Sequence, residues 1–441
     1  EITLDGPTLR FGSDTLVALT GAPVEAWLDE NPLPAWESVL VPGGAVLRIG
    51  RTQGPGFRCY LAVRGGIGVP DYLGSKSTFT LGRFGGHAGR SLQPGDMLPV
   101  TPPDPDGPAA RVRPEHRPQF SSEWEISVLS GPHGAPDFFT EEDIEIFFAT
   151  EWEIHFNSAR TGVRLIGPKP AWAREDGGEA GLHPSNIHDN AYAVGTIDFT
   201  GNMPVILGPD GPSLGGFVCP ATIIEAERWK IGQLRPGDRV RFVPTTHEEA
   251  RRRLAAAQAA LGQLEFTTPT PPPSSATSRE ASPIVSTWGE GDEAFVVRQA
   301  GDRYLLVEIG PPRLDLRLRF HVHLLHQHLE KRDLSGVIEL TPGIRSLQVH
   351  YDPDLLPREE LVAALQDTDR ALGALDEAVP ARIVHLPLSW DVPSTQLAIE
   401  KYSTSVNPPA PWCPSTIEFI RRINGLYSIG EVQRTGVEAS Y

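Results

Sequence analysis

The chain has 441 residues, a net charge of -17 at pH 7, and 44 glycines and 43 prolines. Its hydrophobic fraction of 39% is enough for several cores and excludes a disordered chain. The acidic balance argues against nucleic acids and membranes as partners, because phosphate groups bind clustered Lys and Arg. The high glycine and proline content favours short strands joined by tight turns over a helical bundle.

The cysteines indicate the compartment. Cys59, Cys219 and Cys413 are odd in number and far apart in the sequence, so they predict neither a disulfide framework nor a zinc site. This cysteine usage fits a reducing cytosol, and we expect a cytoplasmic protein without a membrane span. Because the sequence begins on a strand-like segment at Glu1 rather than on a methionine, we expect a fragment of a longer gene product.

The first 245 residues are predicted to be rich in β-strands. Short apolar runs at 45–49, 59–63 and 124–129 lie between turns that contain glycine or proline. The pattern Leu-x-Pro-Gly-Asp occurs at 92–96 and again at 234–238. This repeat indicates two similar β units in tandem.

The later part of the chain predicts a small α+β domain. A helix at 248–264 and a linker rich in Pro, Ser and Thr precede it. The order β-β-α-β-β-α predicts helices on one face of a sheet. The predicted elements are strands at 295–297 and 304–309, a helix at 314–331, strands at 337–340 and 346–351, and a helix at 358–371. A further strand at 382–388 and a helix at 414–424 begin another domain.

The glycine-rich segment 74–90 is the first candidate site. Its sequence combines several glycines with the polar side chains of Lys76, Ser77, Thr78 and Arg90. Backbone N–H groups in such a loop can approach an anion or a carbonyl oxygen. The segment does not have the Walker pattern, and a long hairpin loop without a ligand is the structural alternative.

The second candidate site is the segment 183–189, HPSNIHD. The Asn186 amide can donate and accept hydrogen bonds, the Asp189 carboxylate accepts them, and His188 can move a proton near neutral pH. A small polar substrate with amide N–H groups needs this mixture. Two alternatives remain: a metal bound by His183 and His188, although the spacing matches no standard template, and turns or caps around the proline.

Other polar segments are weaker candidates. Arg160 could reach a carboxylate or lie in an exposed turn. The four histidines between 321 and 328 form two pairs that do not converge on a helix, so they predict a solvated face. No self-contained catalytic motif occurs in the sequence, and we predict no metal site.

Longer motifs carry a resemblance to a known family. The segments are 73–90, 137–140, 183–189 and 211–220, which resemble allophanate-hydrolase-subunit-2-type domains, and 298–310 with 345–353, which resemble subunit-1-type domains. The order 2-then-1 in one chain, with the motifs at 410–414 and 417–425, resembles the carboxyltransferase region of biotin-dependent urea carboxylases and urea amidolyases. The resemblance covers almost the whole chain.

The resemblance implies a mainly β fold with α+β, in which tandem cyclophilin-like β-barrels precede a small α/β domain and a partial third barrel. The implied boundaries are 1–265 for the subunit-2-type carboxyltransferase domain, 266–286 for the linker, 287–378 for the α+β domain and 379–441 for the start of a truncated barrel.

It also implies an activity, the transfer of a carboxyl group from carboxybiotin to urea, which gives allophanate. The implied cofactor is biotin on a separate carrier domain. ATP and Mg would act at a biotin carboxylase domain, because this chain has neither a biotinylated Met-Lys-Met nor an ATP-grasp sequence. Both partner domains could be joined to the chain or act in trans.

The resemblance and the residue chemistry together assign two sets of site residues. As catalytic residues, Asn186 and Asp189 orient urea and His188 assists. The residues assigned to binding urea or carboxybiotin are Lys76, Ser77, Thr78, Gly85, Gly86, Arg90, Arg160, Ser213, Gly215 and Gly216.

Two other functions are carried as alternatives. One is a 5-oxoprolinase-type protein, which hydrolyses a cyclic amide with ATP. The other is a regulatory binding module without catalysis, since some subunit-1-type relatives inhibit a histidine kinase. An adjoining ATP-grasp or biotinyl sequence would favour the carboxylase, whereas kinase binding without turnover would favour the module.

Overall fold

The computed structural model describes residues 1–101, 109–174, 177–179, 183–262, 282–372, 382–405 and 410–438. The chain forms two compact units, Glu1–Leu375 and Asp376–Tyr441. None of the helices in these described ranges is long and apolar enough to cross a membrane.

Two antiparallel sheets of four strands open the first unit. Their strands are β1 (Ile2–Thr3), β2 (Thr8–Arg10), β3 (Thr15–Gly21), β4 (Val24–Leu28), β5 (Asn31–Pro32), β6 (Ser38–Val41), β7 (Val46–Thr52) and β8 (Arg58–Val63). The orders are β1-β8-β3-β6 and β2-β7-β4-β5. Every second residue of β3 is buried, and Leu19 of this strand packs with Leu47 and Cys59 in a core that both sheets share.

A closed barrel of seven strands follows. The next strands are β9 (Thr78–Phe79), β10 (Phe84–Gly85), β11 (Glu123–Ser130), β12 (Trp152–Ile154), β13 (Gly162–Ile166), β14 (Asn186–Ala191), β15 (Thr196–Thr200), β16 (Met203–Leu207), β17 (Leu214–Phe217), β18 (Ala221–Ile223) and β19 (Arg239–Pro244). The barrel order is β11-β18-β15-β16-β13-β12-β19, and the parallel pair of β11 and β19 closes it. Strands β9 with β10, and β14 with β17, form separate two-stranded pairs.

Helix α1 (Glu141–Ala149) packs on the barrel. A capping box begins the helix, because the Thr140 hydroxyl accepts from the Asp143 N–H and the Asp143 carboxylate accepts from the Thr140 N–H. The Phe147 ring stacks on Phe242 with 5.2 Å between the ring centroids. Apolar side chains of the helix thereby join the barrel core.

The sequence repeat forms the same turn in both halves. In the first copy the Asp96 carboxylate accepts from the Gln93 N–H at 2.7 Å. In the second copy the Asp238 carboxylate accepts from the Arg235 N–H at 3.0 Å. A side chain that hydrogen-bonds the backbone three residues earlier stabilises such turns, so the repeat has a physical basis.

An α+β domain completes the first unit. Helix α2 (His247–Gly262) precedes the domain and packs on the barrel, where Ala250 lies in a cluster with Leu129 and Ile224. The elements of the domain are β20 (Ile284–Trp288), β21 (Phe295–Gln299), β22 (Tyr304–Ile309), α3 (Leu316–Arg332), β23 (Val337–Pro342), β24 (Ser346–Tyr351) and α4 (Arg358–Leu372). The sheet order β20-β21-β22-β24-β23 contains the four predicted strands and one additional edge strand. Strand β20 begins inside the predicted linker 266–286, of which residues 266–281 lie outside the described residues.

The second unit contains helices α5 (Pro393–Ser405), α6 (Thr416–Ile423) and α7 (Ile429–Glu438). The helix predicted at 414–424 is confirmed as α6. The strand predicted at 382–388 is wrong, because these residues pair with no strand among those described. A strand needs a partner for its backbone N–H and C=O groups, and the described residues of this unit offer none. The mainly β fold with α+β is confirmed.

Candidate active site

The candidate site lies on the hairpin of β14 and β17. Asn186 pairs with Phe217 and Asn190 pairs with Gly215, but the register shifts between these two pairs. More residues therefore lie on the β14 side, and the segment 187–189 bulges. Such bulges re-aim side chains and are common beside active sites. The bulge contains His188 and Asp189, two of the three predicted catalytic residues.

Tyr192, which directly follows β14, binds the β17 side of the hairpin. Its hydroxyl accepts from the Phe217 N–H at 2.8 Å, and its own N–H donates to the Ser213 carbonyl at 2.9 Å. A Cβ at Gly215 would lie 2.5 Å from the Tyr192 ring, so only glycine allows this approach. Ser213 and Gly215 were predicted as binding residues, and the contacts with Tyr192 give both a structural role.

Glu179 is a site residue that sequence reasoning missed. Its carboxylate accepts from the His188 N–H, and its Oε2 lies 3.6 Å from His188 Nε2. The side chain is only 5% exposed, and Oε1 has no hydrogen-bond partner among the described residues. A buried carboxylate oxygen in this state requires a donor, and a ligand with N–H groups can supply it.

Arg174 connects Glu179 with Asn186. Its Nη1 donates to the Asn186 carbonyl at 3.2 Å, and its Nη2 lies 4.0 Å from Glu179 Oε1. The guanidinium lies over the Phe138 ring at 5.5 Å, where the aromatic face attracts a cation. With the carbonyl bound by Arg174, the side-chain amide of Asn186 is the group that can turn to a ligand.

The two ends of the segment 183–189 differ in their surroundings. Nδ1 of His183 contacts the Ser185 hydroxyl at 3.0 Å and accepts from the Ser185 N–H at 3.1 Å. Burial lowers the pKa of His183, and a side-chain hydrogen bond with Asn202 acts in the opposite direction. The Asp189 side chain is exposed, although partial desolvation raises its pKa.

Among the described residues, no three His, Cys, Asp or Glu side chains meet as metal ligands.

The glycine-rich segment forms the short hairpin of β9 and β10. Thr78 pairs with Gly85, and Gly86 lies against the Thr78 side chain. Lys76 and Ser77 are exposed beside the hairpin. The alternative of a hairpin loop thus describes the backbone correctly, and the ligand contacts of these residues stay a prediction.

Arg90 and Arg160 both have protein partners. Arg90 makes a bidentate ion pair with Asp96, at 2.7 and 2.8 Å, which stabilises the repeated turn. Arg160 donates to the Thr78 carbonyl at 2.9 Å and pairs with Asp210 at 2.9 Å. Arg160 therefore joins the β9–β10 hairpin to the loop that precedes β17. Both of these elements carry predicted binding residues, Thr78 in the hairpin and Ser213 in the loop.

Replacing Arg160 by alanine is expected to loosen the β9–β10 hairpin without unfolding the chain. The Arg160 side chain is 34% exposed, so the loss of unfolding free energy should stay below about 1 kcal/mol. Protease cleavage within 74–90 should become faster, because the hydrogen bond to Thr78 is lost. Arg164→Ala, at an exposed position of β13, is the matched control. Equal cleavage of both variants would contradict the expectation.

Glu179 and Arg174 carry little signal in the sequence. Glu179 lies in a glycine-rich stretch without periodicity, and Arg174 lies in an irregular segment. Only the tertiary fold brings them to β14. The sequence did single out the β14 motif, because its mixture of Asn, His and Asp is chemically unusual for a strand.

Comparisons with known proteins identify the family. A family model described as carboxyltransferase domain, subdomain A and B, matches residues 1–244. A second, described as carboxyltransferase domain, subdomain C and D, matches residues 295–441. The chain belongs to the carboxyltransferase domain family, as the sequence motifs predicted.

Individual proteins and solved structures show which members of this family the chain resembles. The chain is similar to the urea amidolyase of Saccharomyces cerevisiae, with 40% identity over 439 residues, 97% of this chain and 24% of that protein. It is also similar to the crystal structure of the Kluyveromyces lactis urea carboxylase, with a TM-score of 0.92, 37% identity and coverage of 98% of this chain and 40% of that chain. A 5-oxoprolinase component of Escherichia coli is 33% identical over 255 residues, 57% of this chain and 76% of that protein. The chain spans about a quarter of the length of the urea amidolyase.

Proposed function

We propose that the chain is the carboxyltransferase part of a biotin-dependent urea carboxylase, which transfers a carboxyl group from carboxybiotin to urea and forms allophanate. Similarity to urea amidolyase and urea carboxylase over nearly the whole chain supports this function. The observation that carries it is the buried Glu179 Oε1 beside β14, which has no hydrogen-bond partner among the described residues.

The chemistry of this site fits urea. Urea presents N–H donors and one carbonyl acceptor in a plane. Glu179 Oε1 accepts from one N–H, and the Asn186 amide can donate to the carbonyl and accept from a second N–H. The Arg174 guanidinium lies at both residues, since its Nη1 donates to the Asn186 carbonyl at 3.2 Å and its Nη2 lies 4.0 Å from Glu179 Oε1. His188 Nε2, beside the Glu179 carboxylate, can hold a proton during transfer.

The second substrate is assigned to the β9–β10 hairpin. The exposed Lys76 ammonium and the neighbouring Ser77 hydroxyl fit an anionic carboxyl group as donors. When bound, carboxybiotin would supply the carboxyl group for transfer to a urea nitrogen, with free biotin as the group released. Lys76 and Ser77 would hold the carboxylate, and His188 would take the urea proton and pass it to the released biotin. The role of this chain is to orient urea and to hold its proton at His188.

The other steps of the reaction take place outside this chain. ATP and Mg act at a biotin carboxylase domain, and biotin is attached to a carrier domain, either joined to this chain or in trans. We assign the reaction to the cytoplasm, because Cys59, Cys219 and Cys413 are free thiols, as expected in a reducing compartment.

Replacing Glu179 by glutamine is expected to slow carboxyl transfer to urea by about 10²–10³-fold, because one fixed hydrogen-bonding group is lost. Asn186→Ala should have a similar effect. The measurement uses a carrier protein carboxylated with labelled bicarbonate by a biotin carboxylase, and follows urea-dependent transfer of the label into allophanate. Glu153→Gln, at an exposed position of β12, is the control and should match the parent chain. Full activity of Glu179→Gln would overturn the assignment of this site.

A second candidate is action on a cyclic amide. The similarity to the 5-oxoprolinase component over 57% of this chain favours it, because a cyclic amide also presents an N–H and a carbonyl group to Glu179 and Asn186. The same proteins should be tested with 5-oxoproline and ATP. Turnover of 5-oxoproline, with no transfer to urea, would replace the first proposal by this one.

A further inference from the structure

The turn between β23 and β24 lies against the bulged strand β14, although the two elements are more than 140 residues apart in the sequence. The Ile344 N–H donates to the Asp189 carbonyl at 2.9 Å. The Gln348 side chain, which is only 4% exposed, donates to the Ala191 carbonyl at 3.2 Å. The α+β domain therefore hydrogen-bonds the backbone of the candidate site directly.

Gly343 makes the closest approach in this contact. A Cβ at this position would lie 2.6 Å from the Asp189 carbonyl oxygen and 3.0 Å from Asn190 Cα. It would also lie 2.5 Å from the Ser346 hydroxyl oxygen, within the turn itself. The Ser346 hydroxyl can rotate away from an added Cβ, whereas the contact with the Asp189 and Asn190 backbone is relieved only when β14 and the turn move apart. A larger residue at 343 would therefore displace β14 relative to the turn.

Buried ion pairs hold Arg345, a residue of the turn between β23 and β24. Arg345, which follows Ile344, pairs with Glu308 at 2.6 Å, and Arg298 pairs with the same carboxylate at 2.6 Å. The Arg298 guanidinium lies 5.6 Å from the Phe138 ring. These buried ion pairs restrict the movement of the turn, which an exposed loop would not experience.

The same network reaches the other end of the site strand. Phe138 contacts Arg298 of the α+β domain and also Arg174, which binds the Asn186 carbonyl. The α+β domain consequently contacts β14 at Asp189 through the turn, and approaches it at Asn186 through Phe138 and Arg174. Both ends of the bulge have a fixed position relative to this domain.

We propose that Gly343 is a positioning residue for urea binding. Its lack of a side chain allows the close approach of the turn to β14 and thereby sets the position of the His188–Asp189 bulge. This inference rests on the proposed function for the identity of the substrate, but the contact between the turn and β14 does not depend on it. Gly343 does not touch substrate; it acts through the backbone of Asp189 and Asn190.

The test is Gly343→Ala in the full chain. The substitution should raise the KM for urea at least tenfold, while decay of the carboxylated carrier without urea stays unchanged. Hydrogen exchange of the amides at 187–190 should become faster, because the strand is displaced. Gly12→Ala is the matched control, since a Cβ there meets no atom within 4 Å, and it should change none of these values.

A double variant separates a clash with β14 from a clash within the turn. Ser346→Ala removes the hydroxyl near a Cβ at 343 but leaves Asp189 in place. Adding it to Gly343→Ala should therefore not restore the KM for urea. Full restoration, or unchanged exchange at 187–190 in Gly343→Ala, would overturn the inference. If the parent chain does not use urea, the proposed function fails, whereas faster exchange would still support the positioning role.

Discussion

Glu308→Ala is expected to lower the free energy of unfolding by about 3–5 kcal/mol, because it leaves buried charges without a partner. Glu308 is 6% exposed and lies between Arg298 and Arg345, with a distance of 2.6 Å to each. The measurement is guanidinium chloride denaturation followed by circular dichroism. Glu125→Ala, which breaks an exposed pair with Arg241, is the control and should cost less than about 1 kcal/mol.

The pH dependence gives an independent test of the same network. Burial alone would raise the pKa of Glu308, but Arg345 and Arg298 outweigh it and lower the pKa from 4.5 to about 2. A carboxyl with a lowered folded pKa stabilises the fold above its unfolded pKa. This stability should be lost as the pH falls from about 4.5 towards 2. A Glu308→Ala chain as stable as the parent at pH 7 would show that the network contributes nothing.

Asp198→Asn is expected to stabilise the chain at pH 8 by about 4 kcal/mol, at roughly 1.4 kcal/mol for each pKa unit. Asp198 is 3% exposed, and its Oδ1 has no hydrogen-bond partner among the described residues. Burial raises its pKa from 3.8 to about 7. The neighbouring Tyr192 and Cys219 cannot carry a positive charge, and because burial raises the pKa of both side chains, they stay neutral beside Asp198.

The sign follows from proton linkage. A carboxyl whose folded pKa is raised gives full stability below its unfolded pKa, and this stability is lost as the pH rises through the folded pKa. The parent chain should therefore lose stability between about pH 4 and pH 7, whereas Asp198→Asn should lose much less. Denaturation curves at pH 4 and pH 8 measure the difference. Asp71→Asn, at an exposed position, is the control, and equal stabilisation by both variants would contradict the explanation.

The sequence predicted those parts of the fold that depend on local patterns. The α+β domain follows from the periodicity of its strands and helices, and the repeated turn follows from the local hydrogen bonds of Asp96 and Asp238. The strand at 382–388 has the apolar composition of a strand, but composition does not supply a partner. Whether a segment finds a partner strand depends on the tertiary fold, so the sequence of residues 382–388 alone could not decide this prediction.

The sequence predicted the motif at the centre of the candidate site but not the residues that surround it. Asn186, His188 and Asp189 stood out by residue type, whereas Glu179 and Gly343 could not, because their importance comes from contacts with β14 that residue type does not show. Glu179 makes its contact across a separation of nine residues, and Gly343 makes its contact from a distant part of the sequence. Arg90 was assigned to an anionic ligand, but its bidentate partner is Asp96. A basic residue in a glycine-rich loop has the same appearance in the sequence in either case.

The parallel closure of the barrel determines how the chain would carry mechanical tension. Strands β11 and β19 run in the same direction over six residue pairs, from Glu123 with Arg239 to Val128 with Pro244. The chain thus enters the barrel at one rim and leaves it at the opposite rim. A pull on the flanking segments would load these slanted hydrogen bonds in shear, so that they resist together instead of opening one after another.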